Sequence, residues 1–277
     1  MSNNATRREP TVTYHREGLI GSITLNRAEK RNAMDECLWN DLGKAVVGAE
    51  KDEDVRIVLL RGKGESFCTG LDLAADNPVI AKIKEKAGAK QKEDFFRMIL
   101  KVQKVYTRLE KLPVPTIAVI HNHCIGAGLE LALCCDIRLC TEQTILALPE
   151  ARIATLSDLG GIQRLIKIVG TSHAREIVFR GHTVNGIHAK EINLVNHVYK
   201  DREILEKQSL EMAEEIASNP PLAIRGAKDV FLVSEVVSME QAFAYSAARS
   251  SMILPSEDLF EAMNASKEKR KGKFKGA

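Results

Sequence analysis

The chain has 277 residues, 44% of them hydrophobic and 28% charged, with a formal net charge of +3. That composition belongs to a globular protein with a sizeable core and excludes disordered, collagen-like and low-complexity chains. The charge is unevenly placed: six basic residues and one acid lie between Lys267 and Lys275, so the rest of the chain is slightly acidic.

No run reaches the eighteen or so apolar residues of a membrane span. The nearest, Thr116 to Cys135, is broken by His121, Asn122, His123 and Glu130. Met1 to Thr11 is polar, without the apolar stretch of a secretion signal. A cytoplasmic protein with no membrane contact is the expectation. Cys37, Cys68, Cys124, Cys134, Cys135 and Cys140 form no CxxC pair, so reduced thiols packed as small apolar groups are expected.

In chain order, Ser22–Asn26, Arg56–Arg61 and Thr116–Ile120 read as buried strands, each rich in Ile, Val or Leu and closed by Gly, Asn or charge. Asp136–Cys140 and Thr144–Leu148 are weaker strand candidates. Asp35–Ala49 carries Leu38, Leu42, Val46 and Val47 at helical spacing, with Asp35 as N-cap and Glu36 in the first turn. Residues 74–94 form an Ala/Lys-rich segment, either an exposed helix or a mobile insertion. Phe95–Leu109 is a further helix that Pro113 closes. After about residue 158 the pattern is almost wholly helical, over 160–170, 171–180, 202–217, 221–233, 236–251 and 256–270. The alternation before that point argues for an α/β fold with much parallel sheet.

Chemistry concentrates in one stretch. His121 to Glu130 takes a strand through Gly126-Ala127-Gly128 into a helix, which frees backbone N–H groups to face negative charge on a ligand. The full dinucleotide fingerprint is missing, and Glu130 is too close to serve as its ribose acid. Glu150 follows Pro149, and Asp158 precedes Gly160-Gly161. Read singly, Asp158 is a helix N-cap and Glu150 a strand-end surface acid. Read with Glu130, they are three carboxylates at apolar turns, able to supply acid and base groups. His121, His123 and Cys124 lack the further ligands that a metal site needs, and no Ser-His-Asp order or G-x-S-x-G elbow is present.

Several segments in one order resemble the crotonase family, the enoyl-CoA hydratases and isomerases, over nearly the whole chain. They are Leu25-Asn26-Arg27 with Lys30 to Met34, Phe67 to Leu73, Pro115 to Glu130, Cys135 to Arg138, Pro149-Glu150, and Gly160 to Leu165. Ser256-Glu257-Asp258 with Glu261-Ala262 is similar to the family's C-terminal pattern. The resemblance implies a ββα spiral core over 1–200 and a helical trimerisation region over 201–277, giving a homotrimer or homohexamer. It implies an acyl-CoA thioester as substrate, with coenzyme A part of that substrate and no separate cofactor or metal.

It also implies an oxyanion hole made by the backbone N–H groups of Leu71 and Ala127. Lys30, Arg31, Gly70, Leu71 and Asp72 are the expected CoA contacts, although Lys30 and Arg31 read equally well as a solvated basic turn. Glu130 and Glu150 match the two glutamates with which hydratases direct water onto C3, so 2-enoyl-CoA hydration is the first reading. Asp158 stands where hydratases usually have glycine and matches the dienoyl-CoA isomerases, which use acids equivalent to Glu150 and Asp158. Those isomerases usually carry aspartate in place of Glu130, which leaves the chain between the two types. Some relatives bind RNA, but Phe274 is the only aromatic residue interleaved in the basic tail, where base stacking needs several, and no nucleic-acid partner is expected.

Overall fold

The computed structural model describes residues 9–74, 76–80 and 88–277. Six strands lie side by side in the order Val12–Glu17 (β1), Ile20–Leu25 (β2), Ile57–Gly62 (β3), Thr116–Ile120 (β4), Ile137–Thr141 (β6) and His197–Tyr199 (β9). β1 is antiparallel to β2, and every other neighbouring pair is parallel. A second sheet holds His123–Ile125 (β5), Ile145–Ala147 (β7) and Val184–Asn185 (β8), with β5 parallel to β7 and β8 antiparallel to it.

The strand residues divide by parity, because successive side chains leave opposite faces of a strand. Ile57, Leu59, Ile117, Val119 and Leu139 enter a small core closed by Leu205, Ala213 and Ala217 of the helix Arg202–Ala217 (α6). Val58, Leu60, Ala118, Ile120 and Cys140 enter the main core, which Leu38, Leu42 and Val46 of the helix Glu36–Lys51 (α1) also fill. Burial on both faces is why these strands read as unbroken apolar runs. Each buried Val, Leu or Ile among them contributes about 1.5–3 kcal/mol of transfer free energy.

Asp35 caps α1 as expected, its side chain accepting from the Leu38 N–H at 2.8 Å. The remaining helices are Ala89–Glu110 (α2), Ala127–Ala132 (α3), Gly161–Arg180 (α4), Gly186–Glu191 (α5), Pro221–Ser234 (α7), Met239–Ile253 (α8) and Glu257–Lys267 (α9). The expected break between 170 and 171 is a kink: Gly170 takes φ +74° inside α4. The 74–94 segment falls partly outside the described residues, and residues 89–94 are the start of α2.

Two expectations are corrected, and one strand escaped the sequence pattern. The last third is not wholly helical, since β8 and β9 lie in it and β9 completes the main sheet beside β6. A three-residue strand is too short to show a period, so composition did not mark it. The edge strand β1, Val-Thr-Tyr-His-Arg-Glu, carried no apolar run to betray it. The helix expected to reach residue 270 ends at Lys267, and the basic tail turns back along α9. There the Asp258 carboxylate accepts from the N–H groups of Lys275 (2.7 Å) and Gly276 (2.8 Å), while Glu261 accepts from Arg270 (2.6 and 3.0 Å).

Cys68, Cys124, Cys134, Cys135 and Cys140 are free and buried, whereas Cys37 is exposed. Among the described residues no helix is long and apolar enough to cross a membrane.

Candidate active site

Three parallel segments end at one place. Cys68 bridges Cys124 in parallel, and β5 pairs with β7 in parallel, Ile125 opposite Ala147. The Gly126 N–H continues that ladder by donating to Ala147 O at 2.8 Å. Beyond these pairings the chain runs on to Gly70-Leu71, to Gly126-Ala127 and to Pro149-Glu150. Carboxyl ends of parallel strands are where open α/β sheets bind ligands.

The two expected oxyanion donors follow from register. Met34 bridges Leu71 in parallel, with Met34 N–H on Gly70 O (2.7 Å) and Asp72 N–H on Met34 O (2.9 Å). Leu71's own N–H therefore leaves on the opposite side. Ala127 opens α3, where a first-turn N–H has no partner within the helix. Gly70 brings the two together: a β-carbon on it would stand 3.7 Å from Ala127 N.

Glu130 is 2% exposed and pinned at one oxygen. Its Oε1 accepts from Ser157 Oγ (2.5 Å), Gly161 N–H (2.9 Å) and Leu159 N–H (3.1 Å). Burial raises its proton affinity, these three bonds oppose that, and the charge of Asp158 adds to it. Gly161 has to be glycine here, since a β-carbon would lie 2.5 Å from Glu130 Cγ. Gly126 takes φ +52° and sits so close to Glu150 that a β-carbon would be 2.9 Å from its Oε1.

Glu150 stands on a short 3-10 turn, Glu150–Ile153, and is half-buried rather than a surface acid. Its Oε2 is buried and has no hydrogen-bond partner among the described residues. Desolvation pushes its pKa up to about 7, with Glu130 and Asp158 adding like-charge repulsion against a bond from its own backbone N–H. Asp158 is not an N-cap: Gly160 occupies that position in α4, without a side-chain cap. The Asp158 side chain is half-buried, and desolvation raises its proton affinity too. The structure thus gathers all three acids that the sequence offered.

The other expected contacts separate into two kinds. Lys30 and Arg31 are exposed on the turn Ala28–Lys30 and its exit, and Arg31 O accepts from Thr69 N–H at 3.2 Å, next to Gly70 and Leu71. The Asp72 carboxylate is occupied within the protein, paired with Arg27 at 2.8 Å and accepting from Ala74 N–H at 3.0 Å. It fastens the loop that presents Leu71. His121 Nε2 lies 3.1 Å from Gly64 O and His123 Nδ1 3.1 Å from Ser66 Oγ, so both rings serve packing.

Residues the sequence did not single out complete the site. Asn32, fully buried, donates to Lys63 O, Ser66 O and Phe67 O, locking the start of the segment that leads to Leu71. Ser157 supplies the shortest bond to Glu130. Tyr106 donates to Ala127 O at 2.9 Å. Only Ser157 had a local signal, its place beside Asp158; the other partners are 21 to 35 residues away in sequence.

Comparison with known proteins shows the family. The family pattern described as enoyl-CoA hydratase/isomerase matches residues 15–277. The Delta(3,5)-Delta(2,4)-dienoyl-CoA isomerase, peroxisomal, of Arabidopsis thaliana is 34% identical over 264 residues, 95% of each chain. The mitochondrial protein of the same name from Dictyostelium discoideum is 32% identical over 256 residues, covering 92% of this chain and 87% of the relative. Among solved structures, an enoyl-CoA hydratase from Bacillus anthracis superposes with a TM-score of 0.86 at 30% identity, covering 96% of this chain and 100% of that one.

Proposed function

The chain belongs to the enoyl-CoA hydratase/isomerase family, and within it we propose that it is a 3,5-2,4-dienoyl-CoA isomerase. One observation carries the choice: Asp158 caps no helix, and its half-buried carboxyl of raised proton affinity is near enough to Glu150 to raise that group's pKa by like-charge repulsion. Two acids with displaced proton affinities are the groups a proton shuttle needs. Glu150 takes the proton from C2 of the 3,5-dienoyl thioester, and the electron pair spreads over C2 to C6 and the thioester oxygen. The N–H groups of Leu71 and Ala127 stabilise that oxygen, each such donor being worth about 3–4 kcal/mol of barrier. Asp158 delivers a proton to C6, leaving double bonds at C2 and C4. No separate cofactor enters, because coenzyme A is part of the substrate.

A second reading is 2-enoyl-CoA hydration, the first expectation from the sequence. It is favoured by Glu130: the three donors all bind Oε1 and leave Oε2 able to help Glu150 orient a water for C3. Purified protein offered both thioesters separates the two. Growth of the conjugated 2,4-dienoyl absorbance supports the isomerase, and loss of the 2-enoyl absorbance of crotonyl-CoA alone supports the hydratase.

Assembly belongs to the same proposal. The C-terminal helices leave Phe231, Val236, Met239, Phe243 and Met252 between 67% and 78% exposed. Large apolar side chains clustered in this way mark an interface, and a homotrimer or homohexamer is the assembly we propose they serve. We place the enzyme in the cytoplasm, whereas the two isomerases above are named as mitochondrial and peroxisomal.

A further inference from the structure

Helix α2 presents Gln103, Tyr106 and Glu110 at i, i+3 and i+7, hence on one face. All three side chains act on backbone of the site, Glu110 by way of Arg164. Tyr106 holds Ala127 O, as described. Glu110 receives Arg164 at 2.9 and 2.8 Å, and Arg164 Nη1 in turn donates to Leu159 O at 3.2 Å. Gln103 Nε2 donates to Asp158 O at 2.6 Å.

The Gln103 bond differs from the others in what lies behind it. The carbonyl of Asp158 and the N–H of Leu159 belong to one peptide group, which is planar, with its C=O and N–H pointing opposite ways. One rigid unit therefore has Gln103 at its carbonyl end and Glu130 Oε1, 3.1 Å away, at its N–H end. The second peptide that donates to Glu130, between Gly160 and Gly161, is held at its carbonyl by the main-chain N–H of Arg164 (3.2 Å). Any residue at 164 makes that bond. Among the described residues, Gln103 is the side chain that holds the carbonyl of either donor peptide.

We propose that Gln103 is a positioning residue which, through the Asp158–Leu159 peptide, fixes both the Glu130 carboxylate and the backbone from which the Asp158 side chain springs. The link to turnover rests on the functional reading above, while the hydrogen-bonded chain stands apart from it. Donation to the carbonyl polarises the amide and strengthens its N–H as a donor, so Gln103 favours ionised Glu130. The titratable and charged groups facing Glu130 are Asp158 on the same loop, Glu150 on its 3-10 turn, Arg164 in α4, Tyr106 in α2 and Cys134 just past α3. None of these is altered by a substitution at Gln103.

The test is a titration of the full-length protein carrying carboxyl-13C glutamate, with the Glu130 signal assigned from its loss in Glu130→Gln. Gln103→Met, similar in size but without a donor, should raise the Glu130 midpoint by about half a unit or more. Turnover should fall about tenfold in kcat with KM within about twofold, the acid limb of the rate profile moving up with Glu130. Gln103→Lys, which restores a donor of similar reach, should recover both. Should Gln103→Met not fold, Gln103→Leu, which also lacks a donor and adds no charge, takes its place. An unmoved Glu130 midpoint in a folded variant overturns the proposal, and so does a Lys variant as impaired as the Met one. If the wild-type protein converts neither thioester, the functional reading fails and the titration alone decides the role of Gln103.

Discussion

Glu150 is the residue on which the proposed reaction depends most, and its environment gives it two opposed consequences. A carboxyl held near pKa 7 by desolvation is partly ionised at neutral pH, so it can both accept and return a proton. The same burial is unfavourable to folding. The folded group binds its proton more tightly than the unfolded one, so its contribution falls as pH rises from the ordinary carboxyl range to about 7. Glu150→Gln should therefore abolish turnover while raising the melting temperature at pH 8 by more than at pH 5. Thermal denaturation at both pH values checks this, and an equal shift at the two would contradict it. The identities of Glu130, Glu150 and Asp158 were legible in the sequence, but their roles were not. The N-cap expected of Asp158 was a local reading, and it failed because Gly160 starts the helix two residues later.

At the scale of elements, short strands aim the site. β5 and β7 are three residues each, yet their parallel pairing sets Gly126 beside the turn that carries Glu150. Gly126→Ala would need both an unfavourable φ and a carboxylate displaced from 2.9 Å. Left-handed backbone costs a non-glycine residue about 1–2 kcal/mol, so the variant should lose that much stability or more and most of its activity. Denaturant unfolding alongside kinetics separates the two losses. The long strands were legible because burial on both faces makes them uninterrupted apolar runs. β5, β8 and β9 were not, because their residues are selected by what lies beyond them rather than by their own packing. Gln103 and Tyr106 were invisible for a related reason: a single helical sequence does not reveal which distant carbonyl its polar face will meet.

For the whole molecule, the helical C-terminal third is joined to the core by a buried lysine. Lys228 in α7, 4% exposed, places its Nζ 2.8 Å from both Val114 O and Asp136 Oδ2, just outside β4 and β6. Lys228→Ala leaves the Asp136 carboxylate bonded, among the described residues, only to Thr116 and should destabilise by about 2–3 kcal/mol, below the range for fully buried pairs because Asp136 is partly exposed. The same third carries the exposed Phe231, Phe243 and Met252. Sedimentation should find an oligomer that Phe243→Glu dissociates, and a monomeric wild-type protein would refute the proposed assembly.

The most direct measurement is kcat/KM on a 3,5-dienoyl-CoA and on crotonyl-CoA, for the wild-type protein and for Asp158→Asn. A shuttle between Glu150 and Asp158 predicts that the wild type converts the dienoyl thioester in preference. It also predicts that Asp158→Asn loses about 100-fold or more of that activity with a melting temperature that does not fall, since the folded carboxyl binds its proton more tightly than the unfolded one. Hydration of crotonyl-CoA that is indifferent to Asp158→Asn, with no dienoyl conversion by either protein, would contradict it.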